Sequence, residues 1–167
     1  DLQINIDIER VKKTFDLVIS FDKNDSNRYD LIYHPTVYSY NVVKKNISIK
    51  KSDFYFLGSA KKRFSKIVSI YEKLTEMGFI CEFYVTNIRD DEKKDYQGIH
   101  YISNMTYEEN LQHVLSTKCI LEVMQENSTG HTMRIWEAIM YDKKMLTDNI
   151  QIKSTSFYNS SNILVIY

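Results

Sequence analysis

The sequence predicts an α/β fold, with one parallel β-sheet flanked by helices. Three observations carry that expectation. Short β-rich apolar runs, such as Phe54-Tyr55-Phe56-Leu57 and Ile120-Leu121-Glu122-Val123-Met124, read as buried strands. Stretches with apolar residues spaced by three and four lie between them, the clearest from Lys61 to Met77. The two kinds of signal alternate, and such alternation builds a parallel sheet through right-handed crossovers.

In order along the chain, residues 8 to 15 place Ile8, Val11 and Phe15 on one helical face. Leu17-Val18-Ile19-Ser20-Phe21 is a strand signal, and Asp22 to Tyr29 is a polar turn or short helix. Leu31-Ile32-Tyr33-His34 is another strand, ending before Pro35. After Phe54–Leu57 the turn Gly58-Ser59-Ala60 leads into the 61–77 helix, whose Phe64, Ile67, Val68, Tyr71, Leu74 and Met77 face inward. Gly78 suits the residue that closes it. Phe79 to Val85 and Ile99 to Ile102 are further strands, with a mixed-charge connection between them. Thr106-x-x-Glu109 forms a capping box for a helix carrying Leu111, Val114 and Leu115 inward. Cys119 to Met124 is the next strand, and Asn162 to Tyr167 the last, after a loop or short helix at Ser154 to Asn159.

Composition narrows the function classes. The 167 residues suffice for the core of one domain with room for a fragment of another. Lys+Arg and Asp+Glu both total 22, so the chain lacks the basic surplus on which general nucleic-acid affinity rests, and no nucleic-acid partner is expected. Only 4 glycines and 1 proline argue against a disordered, linker-laden chain. Cys81 and Cys119 fall inside apolar runs without motif spacing, which predicts two buried reduced thiols. His34, His100, His113 and His131 give no metal spacing, and no nucleophilic triad follows from the order of the residues. With no signal peptide and no run of membrane-spanning length, a cytoplasmic location is the expectation. The chain starts at Asp1 without a methionine and stops just after a strand-like run, and reads as a piece of a longer protein.

The stretch from Glu126 to Asn149 organises the rest. It joins two apolar runs through a polar loop, Asn127 to His131, and a helix on which Ile135, Trp136, Ile139 and Met140 recur at helical spacing. Thr132 sits where an N-cap belongs. In an open parallel sheet such a loop lies at the carboxyl end of a strand, where ligands bind, and a helix start suits a phosphate. His131, as an imidazolium, would favour an anion there, or serve only as a loop residue. Glu137 can accept hydrogen bonds from sugar hydroxyls, or pair with Arg134 across one turn.

The pattern Gly130-x-Thr132-x-Arg134-x-x-Glu137-Ala138-Ile139, followed by Lys143-Lys144-Met145-Leu146-Thr147, resembles the donor-binding segment of GT-B glycosyltransferases. The nearest likeness is to the bacterial sets that build lipopolysaccharide or capsule, and to spore-maturation relatives. The resemblance covers roughly residues 50 to 167 and implies a Rossmann-like domain, the C-terminal half of a GT-B fold. The phrase Phe15 to Asp22 resembles the last strand–loop–strand of the N-terminal half. Residues 1–45 would then be a remnant of the acceptor-side domain with its connector, whose signal NVVKKNISIKKS spans 41 to 52. Residues 46–167 would be the nucleotide-sugar-binding domain.

The resemblance also implies partners and residues. The partners are a nucleotide-diphosphate sugar, a glycan or lipid-linked acceptor, and the remainder of an N-terminal domain, with the protein peripheral to the inner face of the cell membrane. No cofactor and no metal are implied, because basic groups and a helix terminus neutralise the leaving diphosphate. Asn127, Thr129, Gly130, His131, Thr132 and Arg134 would hold the diphosphate and Glu137 the ribose. Thr129 stands where better-known relatives carry a second acidic residue. Gly58, Lys62 and Arg63, at the first turn of the domain, would contact the diphosphate or sugar, against the plainer reading of a tight turn and a solvated basic face. Asn104 and Thr106 would face the base, or Thr106 would only cap its helix. The catalytic base stays unassigned.

Overall fold

A computed structural model describes residues 7–40, 49–126, 128 and 130–167. Most of the expected connector, 41–48, lies outside the described residues, as do Asn127 and Thr129.

The chain opens with a small βαβ unit. Helix α1 spans Ile8–Thr14, β1 Ile19–Ser20, α2 Lys23–Tyr29 and β2 Ile32–Tyr33, with β1 and β2 parallel. Asp22 starts α2 by accepting from the backbone N–H of Asn24 (2.8 Å) and Asp25 (3.3 Å). The two strand signals shrink to two paired residues each, since among the described residues no third strand flanks them. Phe15, Leu17, Ile19, Phe21 and Ile32 stay more than half exposed as a result.

The main sheet follows. Its strands are β3 (Ser52–Ser59), β4 (Cys81–Thr86), β5 (Ile99–Tyr101), β6 (Thr117–Glu122), β7 (Lys144–Thr147) and β8 (Ile163–Val165), with α3 (Phe64–Glu76), α4 (Tyr107–Ser116) and α5 (Met133–Met140) between them. The strand order is β5-β4-β3-β6-β7-β8, every neighbouring pair parallel. Counted from the sheet's own first strand this is 3-2-1-4-5-6, a doubly wound Rossmann-like arrangement. Successive side chains of β3 point to opposite faces. Phe56 joins Ile67, Tyr71, Leu74, Phe83 and Val85 under α3, whereas Tyr55 joins Val114, Ile120, Ile135, Ala138 and Met145 under α4 and α5. Both faces are covered, as parallel sheets require.

Several boundaries differ from the sequence expectation. Phe79 and Ile80 precede β4 rather than belonging to it: Gly78 turns the chain at φ 84°, and the Ile80 carbonyl accepts from Asp53 and Phe54. The strand expected at Cys119 to Met124 starts and ends two residues earlier, so Val123 and Met124 open the loop instead. The 61–77 helix starts as a 3₁₀ turn over Lys61–Arg63, and Met77 at its end is exposed. On α5 the buried residues are Ile135, Glu137 and Ala138, while Ile139 and Met140 of the expected apolar face lie open. A polar connection joins β4 to β5 and carries only a 3₁₀ turn, Asp90–Glu92. Just before β5, a Cβ on Gly98 would lie 2.2 Å from the Cys81 carbonyl oxygen, so only glycine fits. Among the described residues no helix is long and apolar enough to cross a membrane.

Candidate functional site

The chain leaves β3 toward α3 on one face of the sheet and leaves β6 toward α5 on the other. Diverging connections from adjacent parallel strands open a crevice at their carboxyl ends, the usual ligand position in such folds. A cavity of about 280 Å³ lies there, lined by Phe56, Leu57, Arg63, Glu122, Thr132 and Arg134 among others.

Two guanidinium groups line the cavity. Arg63, just after β3, donates through Nε to the Ser59 carbonyl (3.0 Å) and through Nη1 to the Val123 carbonyl at the end of β6. Burial pulls its pKa below the ordinary arginine value, partly opposed by Asp148 and Glu122. Gly58 makes this pose possible: an added Cβ would lie 2.8 Å from the Phe56 ring and 3.0 Å from Arg63 Nη2. Arg134, in the first turn of α5, donates through Nη1 to Glu137 Oε2 (2.6 Å) and through Nη2 to the Leu57 carbonyl (3.1 Å). Each group has five N–H donors. Two are committed in each case to described residues, which leaves donors over on both.

Glu122, 2% exposed at the end of β6, lines the same cavity. The Thr132 hydroxyl donates to its Oε1 and the Thr147 hydroxyl to its Oε2 (2.5 Å). Burial pushes its carboxyl pKa up, and the two hydroxyls pull back only in part. Thr132 is also the expected N-cap of α5, accepting from the Arg134 N–H at 3.2 Å.

The other expected site residues separate into groups. Gly130 is in the loop, but its N–H donates to Asp22 Oδ2 (3.0 Å) of the N-terminal unit, not toward the cavity. His131 is half-buried, and burial, with Lys23 adding to it, lowers its pKa, which works against the expected imidazolium. Its Nδ1 is buried without a hydrogen-bond partner among the described residues, and its carbonyl accepts from Thr36 Oγ1 at 2.9 Å. Glu137 has no exposed surface: Oε1 accepts from Asn110 Nδ2 (2.8 Å) and Oε2 from Arg134. Of its two sequence readings, the pair with Arg134 is the one formed, and no face of the carboxylate is open to a ribose. Lys62 is exposed. Asn104 and Thr106 stand at the end of β5, two strands from the crevice, and do not line the cavity. Asn104 accepts from the Met105 N–H (2.9 Å), and Thr106 completes a capping box with Glu109.

Sequence reasoning missed Asn110, Tyr55 and Asp22. A signal existed for Asn110, an amide beside Leu111 and Val114 on the apolar side of α4. None existed for Asp22, whose partner Gly130 lies 108 residues away. Among the described residues no cluster of three or more His, Cys, Asp or Glu is placed to hold a metal. No protein-family model, curated protein or solved structure matches the chain.

Proposed function

We propose that the chain is the donor-binding half of a GT-B glycosyltransferase, holding the diphosphate of a nucleotide-sugar in the β3/β6 crevice for transfer to a surface glycan or lipid-linked acceptor. One observation carries the reading. Arg63 and Arg134 both line that crevice, are pinned by backbone carbonyls, and among the described residues keep N–H donors over. Preorganised cations of this kind stabilise the charge that develops on a departing diphosphate, and need no protein-bound metal to do so. The nucleophile's base would come from an acceptor-side domain. The exposed apolar residues of the β1–β2 unit support such a neighbour.

Titration calorimetry on the full chain tests the reading. UDP or GDP should bind more tightly than uridine or guanosine, and Arg63→Ala should weaken the diphosphate by roughly 1.5–3 kcal/mol, the range for a charged hydrogen bond. Equal affinity for nucleotide and nucleoside, or none for either, overturns it. A second reading is a non-enzymatic α/β interaction domain, or another nucleotide-binding Rossmann-like module. It is favoured by the internal saturation of Glu137 and of the Gly130 N–H, both expected to meet ligand. Absence of nucleotide binding would support the interaction domain.

A further inference from the structure

A chain of four side chains runs from the core to the cavity wall. Tyr55, fully buried on β3, donates its hydroxyl to Asn110 Oδ1 at 3.0 Å. Asn110, 2% exposed on α4, donates Nδ2 to Glu137 Oε1 at 2.8 Å. Glu137 Oε2 in turn receives Arg134 Nη1, and Arg134 Nη2 reaches the Leu57 carbonyl. The direction of each bond is forced. A carboxylate only accepts, so the amide nitrogen of Asn110 must face Glu137, its oxygen must face Tyr55, and the phenol must donate. Every group except Arg134 is sealed from solvent, and Arg134 alone borders the cavity.

We propose that Glu137 is a positioning residue for Arg134 and not a ligand contact: the Tyr55–Asn110–Glu137 relay sets the plane in which Arg134 presents its unused N–H donors to a bound diphosphate. This rests on reading the crevice as an anion site. A buried ion pair adds little net stability over an apolar replacement, so its consequence lies in orientation. A guanidinium on a long side chain loses rotamer freedom when it grips an anion, and anchoring it beforehand removes that loss from the binding step. Two anchors, a carboxylate oxygen and a backbone carbonyl, define the guanidinium plane. Glu137 is the one carboxylate of α5 in contact with Arg134 among the described residues.

The test is a double-mutant cycle on the full chain with inorganic pyrophosphate as probe, read by calorimetry. Glu137→Gln keeps the size of the side chain and should weaken pyrophosphate about tenfold, the loss of roughly one charged hydrogen bond. In an Arg134→Gln background the same change should cost less than about twofold, because the two residues act as one unit. Tyr55→Phe removes only the hydroxyl, keeps the ring packed, and should weaken pyrophosphate severalfold; it carries the test if Glu137→Gln does not fold. Unchanged affinity in Glu137→Gln and Tyr55→Phe, in a native chain that binds pyrophosphate, overturns the inference. So does an equal loss in both Arg134 backgrounds, which would mark a general structural effect. A native chain that does not bind pyrophosphate overturns the crevice reading itself and this inference with it, and needs no variant to be seen.

Discussion

Glu122 is a carboxyl group whose charged form is disfavoured by burial. Burial raises its pKa above the ordinary 4.5, with Thr132 and Thr147 only partly offsetting the shift. Between the unfolded and the folded value the native chain therefore binds more protons than the unfolded one. The stabilisation from protonated Glu122 is complete below about pH 4.5 and is lost as pH rises through the folded value, with a slope of at most about 1.4 kcal/mol per pH unit for one proton. Glu122→Gln removes that proton from the balance. Urea unfolding at several values between about pH 4 and 8 should show the variant gaining stability over the native chain as pH rises. Parallel curves would mean that Glu122 ionises as freely folded as unfolded. The two cysteines illustrate burial acting on thiols: both are pushed up to about 12, chiefly by burial. Their separation follows from strand register, since Cys81 and Cys119 flank Phe54 on opposite neighbours of β3. Two strand spacings of about 4.8 Å put their Cα atoms well beyond the roughly 7 Å limit for a disulfide.

Among the elements, α4 shows how completely a local signal can be decoded. Thr106 accepts from the Glu109 N–H at 3.2 Å, and Glu109 Oε2 accepts from the Thr106 N–H at 2.8 Å, the reciprocal bonds of a capping box. That duty accounts for Thr106, which lies two strands from the cavity and does not line it. Thr106→Ala should lower stability by about 0.5–2 kcal/mol, seen as a melting temperature lower by a few degrees, and leave UDP affinity unchanged. A loss of nucleotide affinity with an intact melting temperature would restore Thr106 to the binding site. Helix α5 was legible only in part. Its N-cap is where the sequence put it, but its inward face includes a carboxylate, because Asn110 and Arg134 supply the partners that let Glu137 be buried.

At the scale of the whole molecule, the N-terminal βαβ unit and the segment after it are docked on the loop before α5 and on the start of α4. Asp22 accepts from the Gly130 N–H, Thr36 Oγ1 donates to the His131 carbonyl, and the Tyr107 hydroxyl donates to Tyr38 (2.5 Å). Gly130 sits under Phe21, where an added Cβ would lie 2.8 Å from the ring and 3.1 Å from the Phe21 carbonyl oxygen. The glycine is therefore explained by a close approach between chain segments. Gly130→Ala should cost about 1–3 kcal/mol at that contact through overpacking. Hydrogen exchange should then speed up across residues 17–38 while β3 and β6 keep their protection. Unchanged exchange in the N-terminal unit would show that Phe21 moves aside without loosening the contact.

The alternation of apolar runs and helical spacing sufficed for the parallel sheet flanked by helices, for the turn after β3 that carries Arg63, and for Thr132 as the N-cap of α5. These depend on periodicities of two and 3.6 and on turn chemistry, which are local and visible along the chain. The fate of Glu137, the proton balance of Glu122 and the use of Gly130 were decided by the tertiary structure. A polar side chain is buried or exposed according to partners that arrive from distant segments: Asn110 from α4, Thr147 from β7, Asp22 from the N-terminal unit. Spacing fixes which way such a residue faces, but only packing brings the donor that makes burying it tolerable.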